Sequence, residues 1–264
     1  MKFPSLKKAF LIHFGISLIV FIVLAAIMRL VWYPGDLFWM DGGWQGMQLI
    51  APIDLVLGPA LTLCFYRPWK KNIKFDMAAI AAVQIAALSY GVYAAYQQRP
   101  AAIVFAENRF ETLSLSEYKA ATLKLTENDI EAKSLRDLAP RMPAVIYAKS
   151  FDGEEYGNYL ADILNGLPEL RERSDRYQSI ADSRDQIAKY RLETEETGTS
   201  IATSKDAGET IEVPASSPDV RSKEEATVAN QPEIYTLKAR YEDGTIEFDP
   251  DSFEWIKISR ENND

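Results

Sequence analysis

Apolar residues gather into three long blocks within the first hundred positions of the chain and recur at short periods after that. Positions 10–32 (FLIHFGISLIVFIVLAAIMRLVW) form a nearly unbroken apolar run that, as a helix rising about 1.5 Å per residue, reaches roughly 34 Å and crosses a bilayer. A cleaved signal peptide would have a shorter apolar core ending in a small-x-small site, and Ala25-Ala26 matches that poorly. Positions 47–66 and 76–96 are also long enough to span, and most charges fall in the connections between the blocks. The pattern predicts three transmembrane helices over residues 1–99.

The pattern then changes. Residues 102–115 alternate β-favouring positions around Glu107-Asn108, which predicts a hairpin at the membrane exit, and 117–125 reads as a short helix. Residues 144–148 (AVIYA) read as a buried strand. Apolar spacing near 3.6 predicts helices over 154–166, with Tyr156, Tyr159, Leu160, Ile163 and Leu164 on one stripe, and over 175–192, separated near Pro168. Residues 191–234 hold no Phe, Trp or Tyr and bury too little apolar area to offset chain entropy, so a flexible insertion is expected at about 193–231. Residues 234–241 and 245–248 flank a Gly-containing turn, and 253–258 predicts a further strand. The expected fold is a membrane α-helical part followed by a small α+β domain over 100–264.

Charge supplies the orientation. The first 99 residues carry nine Lys/Arg against four Asp/Glu, and the rest carry 20 against 34, so the rear domain is acidic, repels anionic headgroups, and is not expected to bind nucleic acid or a lipid surface. Lys2, Lys7 and Lys8 precede the first span and Arg67, Lys70, Lys71 and Lys74 surround the loop before the third, whereas the loop after the first carries Asp36 and Asp41. Positive residues stay in the cytoplasm, so the N-terminus is expected there and the acidic domain in the periplasm, beyond a bacterial inner membrane. Trp32, Tyr33, Trp39, Trp44, Tyr66 and Trp69 fall at the expected interfaces, as amphipathic rings do. The one cysteine, Cys64, stands in an apolar run and reads as an inert packing residue.

Asp54 is the most informative residue. A carboxylate inside a span costs about 3 kcal/mol on insertion scales, so it should face protein, with His13, Ser17, Gln84 and Ser89 as candidate donors. Asp76, the other acid on a span, should lie roughly 20 Å away in depth, too far to form an aspartyl-protease pair. Pro52, Gly58 and Pro59 predict a kink in the second span. In the third, Ala78, Ala82 and Ala86 form one row of small residues and Ala87, Gly91 and Ala95 another, a spacing that permits close helix approach. One row could pack the bundle and the other accept a foreign helix. The soluble part has no Gly-rich phosphate loop, nucleophile elbow, Cys/His cluster or histidine, so no enzyme activity, cofactor or metal is expected.

Several blocks together resemble a known family. Trp32-Tyr33-Pro34-Gly35, Asp54-Leu55-Val56-Leu57-Gly58-Pro59 followed by Leu61-Thr62, Lys74-Phe75-Asp76, Gln84, Tyr90-Gly91, Arg99-Pro100, Phe105 and Arg109-Phe110-Glu111 resemble the type IV pilin accessory proteins of the TfpX/TfpZ type, over residues 8–112. The resemblance implies a non-enzymatic inner-membrane protein that promotes assembly of a type IV pilin in the manner of a dedicated chaperone. Its implied partners are the transmembrane helix and globular head of the major pilin, other pilus assembly proteins and the lipid bilayer. Candidate contact residues are Asp54, Gly58, Pro59, Gln84, Ala87, Gly91, Ala95, Arg109 and Phe110. A membrane-anchored periplasmic sensor or ligand-binding module acting through a partner protein is the alternative, and a transporter or membrane enzyme ranks third.

Overall fold

The computed structural model describes residues 5–67, 73–139, 141–192 and 231–261. The expected insertion lies outside them except for residue 231, as do Lys2, Trp69, Lys70 and Lys71.

Among the described residues, three helices are long and apolar enough to cross a membrane: Leu6–Trp32, Gly43–Phe65 and Ile73–Gln98, each end within four residues of its expected limit. The first consists of α1 (Leu6–Ile27) running on as a π-helical turn, Met28–Trp32. A short helix α2 (Leu37–Met40) follows, then α3 (Gly43–Ala51), a π-helical turn Pro52–Leu57, and α4 (Gly58–Phe65). The expected kink therefore takes the form of a widened turn: Pro52 has no N–H to give, and the Gly58 N–H reaches back five residues to the carbonyl of Ile53. The third span is one helix, α5 (Ile73–Gln98).

The bundle is inside out relative to a water-soluble one. Leu11, Ile16, Ile19, Ile22 and Val23 of α1 and Val83 and Ile85 of α5 point outward, whereas Ser17, Asp54 and Thr62 are buried. Water would drive the reverse sorting.

After α5 the chain turns through one residue into β1 (Pro100–Ala106), which pairs antiparallel with β2 (Arg109–Ser114) around the expected Glu107-Asn108 turn. Helix α6 (Leu115–Glu127) is started by a capping box, in which the Ser114 hydroxyl accepts from the Glu117 N–H and the Glu117 carboxylate accepts from the Ser114 N–H. Then come α7 (Leu135–Leu138), β3 (Ala144–Ala148), α8 (Glu154–Leu164), β4 (Tyr177–Ser179), α9 (Arg184–Ile187), β5 (Glu233–Lys238), β6 (Asp243–Phe248) and β7 (Trp255–Arg260). They build one mixed seven-stranded sheet in the order β4-β3-β1-β2-β5-β6-β7, parallel at β1/β3 and β2/β5. Central β1 is buried on both faces, as its continuous apolar run requires. Ile103 and Phe105 enter a core with Phe110, Tyr235, Ile246 and Phe248, and Ala102 and Val104 enter a second core with Ile146, Tyr159 and Leu170.

Two sequence expectations are corrected. The helix expected over 175–192 is instead β4 and α9 set among 3-10 turns, because Tyr177 and Gln178 are drawn into pairing with Ala148 and Tyr147 at the sheet edge. The 3.6 spacing reflected burial from separate short pieces, with Tyr177 and Ile187 both fully buried. On α8 the expected stripe does not pack as one face: Tyr159 stacks on Phe151 at 4.4 Å and its hydroxyl accepts from the Leu170 N–H at 2.9 Å, while Leu164 is 88% exposed.

Phe110 is fully buried, with Phe105, Tyr235 and Phe248 at ring separations of 5.0, 5.7 and 5.4 Å. Phe110→Ala should cost about 3–5 kcal/mol. During denaturant unfolding of the solubilised variant, the near-ultraviolet aromatic signal should be lost early while the far-ultraviolet helical signal persists.

Candidate functional site: a polar knot in the bundle and its joint with the sheet

Four elements meet around Asp54 in the middle of the bundle. The π-helical turn carries Asp54, α1 carries His13 and Ser17, α4 carries Thr62, and α5 carries Gln84. The Gln84 amide nitrogen donates to Asp54 Oδ1 at 2.9 Å and to Ser17 Oγ at 3.1 Å, and the Ser17 hydroxyl donates to the same carboxylate oxygen at 3.3 Å. His13 Nε2 lies 2.7 Å from Gln84 Oε1, and Nδ1 lies 2.6 Å from Thr62 Oγ1. An amide carbonyl can only accept, so His13 Nε2 carries a proton. The knot thus runs Thr62, His13, Gln84, Asp54, with Ser17 closing it.

Gln84 is its hub, and Gly58 makes room for it: a Cβ at Gly58 would strike the Gln84 amide. Of the donors expected for Asp54, Ser17 and Gln84 bind it directly, His13 joins through Gln84, and Ser89 is exposed and outside the knot. Asp54 Oδ2 is buried with no hydrogen-bond partner among the described residues. Pro59 is buried beside Gly58, and Cys64 is exposed on the outer face of α4 and not packed inside.

The small-residue rows divide as well. Ala95 is buried, its carbonyl accepts from the Tyr33 hydroxyl at 3.0 Å, and a Cβ at Gly91 would come within 3.2 Å of Ile50. This row seats α3 against α5, with Ala87 half-buried one turn further along, whereas Ala78, Ala82 and Ala86 are exposed. Arg109 pairs with Glu111 at 2.8 Å on the domain surface, and Phe110 is core.

Sequence reasoning missed the joint. Asp41 is fully buried between bundle and sheet, where its Oδ1 accepts from the Thr112 hydroxyl at 2.7 Å and from the Arg240 N–H at 3.2 Å. The Tyr241 N–H donates to the Met40 carbonyl at 2.9 Å, the Arg240 guanidinium donates to Gln98 Oε1 at 2.6 Å, and the Arg260 N–H donates to Asp36 Oδ2 at 3.4 Å. Leu37 and Met40 enter the sheet's core. A Cβ at Gly244 would strike both the Ser259 carbonyl and Met40, so the start of β6 can sit against β7 and α2 only with glycine there. Burial pushes the Asp41 carboxyl up to about 6 from its ordinary 3.8, against the Thr112 and Arg240 hydrogen bonds and the Arg240 charge that pull it down. Burial likewise holds the Tyr33 phenol far above its usual range.

These features define a class of protein: a three-helix bundle with polar interior contacts, tied by hydrogen bonds to a mixed-sheet domain. Among curated proteins the chain is similar to three fimbrial assembly proteins of Dichelobacter nodosus, each over 105 residues, or 39% of this chain. The serogroup I protein is 38% identical and the serogroup E1 protein 36%, each matched over 41% of its length. The protein of serogroups C1 and C2 is 37% identical and matched over 80% of its length. The chain therefore belongs to the fimbrial assembly protein family, the type IV pilin accessory family its motifs resemble, and it spans about two fifths of the length of the first two relatives. No family model and no solved structure matches it.

Gln84→Leu strips the knot of its hub and leaves buried polar groups bare, a loss of about 2 kcal/mol that should lower the thermal midpoint in mild detergent. At Asp41 the folded chain holds its proton up to a pH of about 6, and the unfolded chain releases it near 3.8. The stabilisation this provides is fully present below the lower value and is lost as pH rises through the upper one, a change on the order of 3 kcal/mol. Wild type should therefore unfold at a lower temperature at pH 7.5 than at pH 5, and Asp41→Asn should flatten that difference.

Proposed function

We propose that this protein is a non-enzymatic inner-membrane accessory factor that promotes assembly of a type IV pilin. Its N-terminus lies in the cytoplasm and its sheet domain in the periplasm. Membership of the fimbrial assembly family supports the role, the inside-out bundle supports insertion, and the basic flanks of the first and third spans support the orientation.

The observation that carries the reading is the joint. Met40, Asp41 and Gln98 on the bundle side are bonded to Arg240 and Tyr241 on the sheet side, so the two parts hold one relative position. A pilin awaiting assembly is an apolar helix in the bilayer carrying a head outside it. A partner with two surfaces at a set separation would hold helix and head together, in a chaperone-like way, without breaking or making covalent bonds. In this reading the bundle takes the helix and the acidic domain takes the head, with other pilus assembly proteins receiving the subunit.

Major pilin should co-purify with the tagged chain from detergent-solubilised membranes, and recovery no better than with an unrelated three-span protein would end the proposal. Deleting the gene should remove surface pili while pilin message stays normal. A fall in message would favour the anchored sensor instead.

A further inference from the structure

Between α3 and α5 the bundle leaves an open groove of about 390 Å³. Its floor is small, with Gly46, Ala87, Gly91 and Ala94, and its walls are apolar, with Leu49, Ile53 and Tyr90. The stretch from Ala87 to Gln98 gives it a length of roughly 16 Å.

The groove's end nearest the sheet domain is different. Arg240 and Tyr241 reach across it: the Tyr241 ring would lie 3.0 Å from a Cβ at Gly42, before α3, and the Arg240 guanidinium donates to Gln98, the last residue of α5. A foreign helix lying along the groove would have to leave it at this bridge. A molecule with an apolar tail and one polar end would stop there.

The polar end has a definite chemistry. Among the described residues, Arg240 is the one charged side chain lining the groove, and it offers guanidinium donors to a phosphate. Gln45 also lines it, and its side-chain carbonyl oxygen is buried without a partner among the described residues, an acceptor that lacks a donor. Glu117 lies 3.5 Å from Arg240 and offsets part of its charge, which disfavours a net anionic group.

We propose that this groove binds one amine-bearing glycerophospholipid from the leaflet next to the sheet domain. An acyl chain lies along Gly91 and Ala94, the phosphate meets Arg240, and the ammonium donates to Gln45. The assignment rests on the chain spanning a bilayer and is independent of the pilus role. It also accounts for a polar mouth on an otherwise apolar cleft, which the surrounding lipid annulus does not require.

The full chain, reconstituted in vesicles of phosphatidylethanolamine and phosphatidylglycerol doped with a phosphatidylethanolamine carrying a photoactivatable acyl chain, provides the test. Cross-links should concentrate on the peptides holding Leu49, Ile53 and Tyr90. Ala94→Phe, which fills the groove from a half-exposed position, should reduce them about tenfold. Val83→Phe on the outward face should leave them unchanged, and Gln45→Leu, which removes the acceptor for the ammonium, should abolish the preference for the ethanolamine probe over a glycerol one. Cross-links spread evenly over Ile16, Ile19 and Val83 and indifferent to Ala94→Phe would overturn the site while leaving the membrane reading intact. Their absence from all three helices would overturn both. A co-expressed pilin helix that cross-links at Leu49 and displaces the probe would assign the groove to the helix, against this proposal.

Discussion

A carboxylate removed from water must recover its lost hydration from donors of the protein, and this chain meets that demand at two levels along its length. In the bundle, Asp54 is answered by Gln84 and Ser17, side chains from two other helices. At the joint, Asp41 is answered by Thr112 of β2 and by the N–H of Arg240 just beyond β5. Each acid gives segments far apart in the chain a specific polar partner, whereas apolar contact gives little preference among neighbours when the surroundings are lipid. In both cases one oxygen is bonded and the other is bare among the described residues.

Gln84 shows how far one side chain can organise a bundle. Its nitrogen donates to the acid, its oxygen accepts from the His13 N–H, and the histidine in turn reaches Thr62 of α4. The geometry requires Gly58 beneath the amide and a widened turn at Pro52–Leu57 that carries Asp54 to it. The proline, the glycine and the acid of the second span are therefore parts of one arrangement.

The joint ties the bundle and the sheet domain together at one relative position. Helix α5 passes into β1 through a single residue, and the loop after the first span is built into the sheet's core by Leu37 and Met40. A change of protonation at Asp41 acts at this junction, where its position is felt by both halves. In the proposed role, a pilin helix and head would meet surfaces whose separation is set by these bonds and not by a flexible tether.

The three spans, the β1–β2 hairpin, β3 and the β5–β6–β7 meander were legible in the sequence because each is declared by local pattern: span length, alternation, a turn residue. Asp54 and Gln84 were legible as partners because a polar residue in an apolar run must find one and few are present. The break of 175–192 into β4 and α9 was not legible, since helical spacing there competes with a sheet edge that exists only once β3 is in place. Nor was the joint, which pairs Asp41 with Arg240 across 199 positions. By itself the sequence determined which segments are long and apolar enough to cross a membrane and which polar residues stand among them, because those depend on composition along the chain. Only the tertiary structure decided which distant groups meet, because a hydrogen bond depends on where two segments lie in space.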